Sequence, residues 1–149
     1  MAEEVKTNTA AAAPEAKAPA AAPKARRGKK GKRVVQTGEA HIKATFNNTI
    51  VSVSDKTGAV LAASSAGANG FRGSKKGTAY AAGVAAEKVA DIAKNNHSMS
   101  AIDIFVKGTG LGRDAAIRAF ATKGMTINSI TDKTPIAHGG VRPKGERKP

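Results

Sequence analysis

Two glycine-rich stretches hold the residues best suited to chemistry. The first, AGANGFRGSKKG, runs from Ala66 to Gly77 and leads directly into an alanine-rich segment. It combines Gly67, Gly70, Gly73 and Gly77 with one aromatic residue, Phe71, and three cations, Arg72, Lys75 and Lys76. No carboxylate occurs between Lys56 and Ala86. Glycines permit positive φ and let the backbone approach a large ligand. A helix starting behind such a loop offers unpaired N–H groups to an anion. The stretch therefore reads as phosphate-facing, against the plainer reading of a solvated loop with ordinary surface lysines.

The second stretch, GTGLGRD, spans Gly108 to Asp114 and also precedes a helical pattern. It has neither the Gly-Lys-Ser/Thr ending of a P-loop nor the G-x-G-x-x-G spacing of a dinucleotide turn. It serves equally well to set backbone N–H groups and Arg113 beside a nucleic-acid phosphate. Enzyme chemistry finds little else to use. The chain has no cysteine, and His41, His97 and His138 are too far apart to read as a metal site. A magnesium-dependent nuclease needs carboxylates clustered on strands. Here the first strand offers His41 and Lys43 instead, Glu87 and Asp91 fit a solvated helix face, and Asp103 has no evident partner. We expect no catalytic site, no metal and no cofactor.

Charge points to a polyanion. The 149 residues carry 25 Lys and Arg against 11 Asp and Glu, a formal net charge of +14. Residues 1–33 contribute +6, residues 34–138 contribute +5 and residues 139–149 contribute +3, so both ends are more densely basic than the middle. Nucleic acid is the commonest partner of such a chain. No stretch approaches the length of a membrane span, and Glu3 and Glu4 stand where a signal peptide would be basic. A cytoplasmic protein without a membrane partner is the expectation. With aromatics at 3%, recognition of folded RNA by shape suits the composition better than a stacking platform for single strands.

These residues need a scaffold, and the sequence predicts one. Residues 1–33, rich in Ala, Pro and Lys, read as a disordered basic arm. Order is expected from about Glu39. In HIKATF, Ile42, Ala44 and Phe46 alternate with polar residues as in a half-buried strand. Asn47-Asn48 makes a turn, TIVSVSD a second strand, Asp55 to Gly58 another turn, and AVLAASSA a third strand. Thr78 is a plausible N-cap for a helix from Ala79 to about Asn95 with Ala82, Ala85, Ala86, Val89, Ile92 and Ala93 on its buried stripe. AIDIFVK (101–107) forms a fourth strand. A second helix, Arg113 to Lys123, turns Ala116, Ile117, Phe120 and Ala121 inward, and MTINSIT (125–131) is the fifth strand. The order βββαβαβ implies an α/β domain over residues 34–138, with a mixed sheet whose last strands are parallel. Residues 139–149 form an extended basic tail. Phosphate contacts are expected from Arg72, Lys75, Lys76, Arg113, Arg142, Lys144, Arg147 and Lys148. Gly73 is expected at the RNA contact as well, and Asn47, Asn48, Asn69 and Phe71 are candidates for base or ribose contact. A histone-like DNA-condensing protein is the alternative reading, carried by the N-terminal arm.

Four segments together, HIKATFNNTIVSVSD, GANGFRGSKKGTAYAAGVAAE, VKGTGLGRDAAIRAF and ITDKTPIAHGGVRPK, make residues 34–149 resemble the small-subunit ribosomal protein S-eleven family in its bacterial form. That resemblance implies a ribonuclease-H-like fold without a nuclease site. It also implies a structural constituent of the small ribosomal subunit that bridges rRNA helices on the platform and helps form the Shine–Dalgarno cleft near the messenger. Implied neighbours are small-subunit proteins S-seven and S-eighteen and initiation factor three. Two features depart from the family pattern. The arm is longer than the usual leader, and Gly139 follows His138 where the family commonly has an asparagine prone to isoaspartate formation, a change that glycine cannot undergo.

Overall fold

The computed structural model describes residues 33–142 together with 144 and 145. The expected basic arm therefore lies almost wholly outside the described residues, as do Arg147 and Lys148 of the tail. Five strands and two helices follow in the expected order: β1 (Thr37–Ala44), β2 (Thr49–Asp55), β3 (Val60–Ser65), α1 (Ala79–His97), β4 (Ala101–Lys107), α2 (Gly112–Thr122) and β5 (Thr126–Asp132). They form one sheet in the order β3-β2-β1-β4-β5. β2 pairs antiparallel with β1 and β3, while β1–β4 and β4–β5 are parallel. Only β2 runs against the rest, as in ribonuclease-H-like domains.

Alternation of side chains places one face of the sheet beneath the helices. Ala40, Ile42 and Ala44 of β1, Val51 and Val53 of β2, and Ile102, Ile104 and Val106 of β4 are all buried. α1 meets them with Ala82, Ala85, Ala86, Val89, Ala90 and Ala93. Alanine at the contact lets the helix axis approach both the sheet and α2 closely, and α1 packs against α2, β2 and β3. Phe120 of α2 is the largest fully buried side chain and fills the space that small residues leave.

Several expectations shift. Phe46 does not continue the buried stripe; it is 77% exposed. β1 ends at Ala44 because Thr45 N–H donates to the Asn48 carbonyl at 2.9 Å, turning the chain before Phe46 can join the sheet. On α2, Ala119 is buried rather than Ala121, because Ala119 and Phe120 lie three and four residues beyond buried Ala116 and so share its face. α1 runs through Asn95-Asn96 to His97 and stops where Ser98 takes the left-handed conformation, φ 53°. β1 begins at Thr37, ahead of Glu39, because Thr37 and Gly38 pair with Ala101 and Ile102 of β4. Val35, Met99 and Met125, outside the elements, close the same end of the core.

Candidate nucleic-acid interface

The first glycine stretch is an ordered double turn rather than an open loop. Residues Gly67–Asn69 and Gly73–Gly77 each form a short 3-10 turn, and Gly70 and Gly73 take φ of 87° and 56°. A side chain at either position would meet open space, so glycine serves backbone conformation there, not packing. The Asn69 amide is spent inside the fold. Its nitrogen donates to Ser64 Oγ and the Ser65 carbonyl, both at 3.0 Å, and its oxygen accepts from Lys88 Nζ at 3.3 Å. Arg72 donates to the Gly67 carbonyl at 3.2 Å, latching the double turn. Among the described residues no carboxylate pairs with Arg72, Lys75 or Lys76. Their charge is available to a ligand.

Phe71 is half-buried and meets Tyr80 edge-to-face, with ring centroids 5.9 Å apart. Tyr80 is itself 74% exposed at the first turn of α1, although sequence reasoning left it out of the interface. Its position two residues after the Thr78 N-cap was the available signal, since Thr78 Oγ1 does accept from Ala81 N–H at 3.3 Å. The same hydroxyl donates to the Lys75 carbonyl at 2.8 Å, so one side chain fixes the helix start and the cationic turn together.

Three loops meet at this end of the sheet. The β1–β2 turn is held by Thr45 Oγ1, which donates to the Asn48 carbonyl at 2.8 Å and accepts from Asn48 N–H at 3.1 Å. Asn47 is exposed on it, whereas Asn48 is half-buried with its side-chain oxygen enclosed and without a partner among the described residues. A methyl group at Gly77 would strike the Phe46 carbonyl, and one at Gly108 or Gly110 would strike the backbone of Ala44 and Thr45. Gly112 lies as tightly against Thr49 and Ala82. Glycine here permits loop-on-loop contact.

The second glycine stretch is consequently more structural than its composition implied. Arg113 Nη1 donates to Asp132 at 2.9 Å and to the Gly108 carbonyl at 3.0 Å. Asp132 also accepts from Thr134 N–H at 2.8 Å and from the Thr134 hydroxyl, whose oxygen in turn accepts from Gly108 N–H at 3.0 Å. Hydrogen bonds from Thr134, followed by Arg113, hold the Asp132 carboxyl down at about 2. Three acids elsewhere in the fold are also engaged. Lys123 pairs with Asp91 at 3.0 Å and lies 3.9 Å from Glu87, tying α2 to α1, and Asp103 accepts from Ser129 Oγ at 2.8 Å. Among the described residues no cluster of three or more acids, histidines or cysteines is placed to hold a metal ion. No described helix is long and apolar enough to cross a membrane. Arg142 and Lys144 are exposed on the tail.

A compact α/β domain whose connecting loops gather unpaired cations at one end is thus the class of molecule that this chain builds. Residues 38–148 match the family model described as ribosomal protein S11. The chain is 53% identical over 120 residues to the small ribosomal subunit protein uS11c of Cyanidioschyzon merolae, covering 80% of this chain and 98% of that protein. It is 50% identical, with the same coverage, to the small ribosomal subunit protein uS11 of Coxiella burnetii. The chain belongs to the ribosomal protein S11 family. It is a structural constituent of the small ribosomal subunit, not an enzyme.

Proposed function

We infer that the domain over residues 34–138 binds and bridges small-subunit rRNA helices on the platform and helps form the cleft that holds the Shine–Dalgarno duplex. The observation that carries this reading is the acid-free double turn at Ala66–Gly77, whose cations have no carboxylate partners among the described residues. Arg72, Lys75 and Lys76 contact phosphates; Arg142, Lys144 and the rest of the basic tail extend the same footprint. Such contacts fix orientation on folded RNA without reading sequence. Asn47 and the Phe71–Tyr80 pair supply ribose or base contacts. Asn48 and Asn69, with their amides partly or wholly enclosed, hold the loops in shape. Arg113 positions its loop through Asp132. Small-subunit proteins S-seven and S-eighteen, initiation factor three and the messenger are the neighbours on this reading, and the N-terminal arm adds an electrostatic tether.

The absence of native cysteine makes a clean test available. A single Ser74→Cys substitution, at an exposed position of the double turn, carries a tethered iron chelate into assembled small subunits. Hydroxyl-radical cleavage is expected in platform rRNA and in the rRNA strand that pairs with the Shine–Dalgarno sequence. Cleavage confined to rRNA outside the platform would contradict the reading.

A further inference from the structure

The face of the sheet turned away from the helices has an order of its own. β1 and β4 are parallel and in register, so Glu39 stands beside Asp103, His41 beside Phe105, and Lys43 beside Lys107. The open face thus passes from an acidic rung through an aromatic rung to a cationic rung. His41 and Phe105 are stacked, with centroids 5.5 Å apart and planes 18° apart. Lys133, just beyond β5, places Nζ 3.7 Å from the Phe105 centroid, adding a third cation at the same end. The acids of the first rung are engaged by His41 at 3.6 Å and by Ser129, while no described carboxylate pairs with Lys43, Lys107 or Lys133.

This end is concave. A depression of about 290 Å³ lies between His41, Phe105 and Ile50, and a second of about 510 Å³ lies between Gly108, Thr134 and Pro135. Both include Lys43 and Lys107 in their walls, so the lysine pair stands on the ridge between them. Ile50 is exposed on the first floor, beside an aromatic ledge. Apolar floor, aromatic wall and unpaired cations suit a nucleotide with its base out of the stack. A continuous duplex would present phosphates without a base to fill the hollow.

We propose that this cationic end of the open sheet face is a second RNA contact, which takes an unpaired nucleotide of small-subunit rRNA. Its base lies in the hollow against His41 and Ile50, and its flanking phosphates sit on Lys43 and Lys107, with Lys133 completing the cationic rim. The inference rests on the rRNA-binding reading above but uses a different surface from the double turn at Ala66–Gly77. It makes the protein a two-sided RNA clasp, with the double turn on one side and the sheet on the other.

The test is a lysine-directed, photoactivated protein–RNA crosslinker applied to small subunits that contain the full chain. Peptides carrying Lys43 and Lys107 are expected to gain rRNA adducts in yields comparable to the peptide carrying Lys75 and Lys76. Adducts on the loop peptide alone would overturn the sheet contact and leave the loop reading standing; adducts on neither would overturn both. Amine–amine crosslinks from Lys43 or Lys107 to another ribosomal protein, without RNA adducts, would assign the face to a protein and overturn the proposal. As a second measure, the double substitution Lys43→Gln/Lys107→Gln rebinds to small-subunit particles lacking the chain. The slope of log affinity against log salt is expected to fall by about 1.4, two contacts at about 0.7 each on unpaired RNA. An unchanged slope would contradict it. Both lysines are exposed, so the fold tolerates the change.

Discussion

The two glycine stretches look alike in sequence and behave differently in the molecule. Each has glycines, an arginine and a helix behind it. In Ala66–Gly77, the positive-φ glycines Gly70 and Gly73 face open space, and among the described residues Arg72 bonds only a backbone carbonyl. In Gly108–Asp114, the glycines are pressed against the β1–β2 turn and Arg113 is bonded to Asp132. On the proposed reading the first presents charge to rRNA, while the second holds that end of the fold together. Composition sets what a loop can do, but the neighbouring backbone and the nearest carboxylate decide which of those things it does.

That contrast can be broken by substitution. The largest effect is expected at Gly108→Ala, where a methyl group meets the Ala44 carbonyl and the residue has φ 96°. Left-handed strain of about 1–2 kcal/mol adds to an overpacking cost of about 1–3 kcal/mol. Denaturant unfolding should show a loss of roughly 3 kcal/mol, while Gly70→Ala, with open space around it, should lose only the strain. A loss at Gly108 no larger than that at Gly70 would mean that the second loop does not pack as described.

Next in size is the triple substitution Arg72→Ala/Lys75→Ala/Lys76→Ala. Rebinding to small-subunit particles lacking the chain should lose about two units of salt slope, three phosphate contacts at about 0.7–0.9 each. Stability should move by no more than about 0.5 kcal/mol, because Arg72 and Lys75 are exposed and Lys76 is only half-buried. Arg113→Ala should do the reverse. The exposed pair with Asp132 contributes modestly to stability, so the denaturant midpoint should fall slightly, and the salt slope should stay near that of the unaltered chain.

The smallest effect is a pH dependence. Asp132 titrates at about 2 in the folded protein, below its ordinary value of 3.8. A carboxyl with a depressed folded value stabilises the fold above its ordinary value, and that contribution fades as pH falls from about 4 to about 2. Asp132→Asn should flatten this limb of an acid-unfolding curve. An acid limb unchanged by the substitution would show that Asp132 is not held down by Thr134 and Arg113.

Much of the scaffold was legible in the sequence because short turns and period-two alternation leave few arrangements open. Asn47-Asn48 and Asp55–Gly58 forced the β1–β2–β3 meander, and the two glycine stretches marked the starts of both helices. Legibility failed where tertiary contact overrides local pattern. Phe46 keeps the alternation of β1 but lies past the Thr45–Asn48 hydrogen bond, so it turns outward. Asn95-Asn96 reads as a helix stop, yet the helix continues to the left-handed Ser98. For the interface, unopposed charge at Arg72, Lys75 and Lys76 was visible from the missing acids. The pairing of Arg113 with Asp132, 19 residues away, was not, because an expected strand order does not say which side chain at the start of α2 meets which residue at the end of β5. The rung of Lys43 and Lys107 was hidden because it rests on β1 lying beside β4 in one particular register.

The most direct test sets the triple substitution in the double turn beside Arg113→Ala in one salt titration of rebinding to small-subunit particles. The expected result is a slope lower by about two for the triple substitution and unchanged for Arg113→Ala. Equal losses, or a loss only for Arg113→Ala, would contradict the division of labour between the two loops.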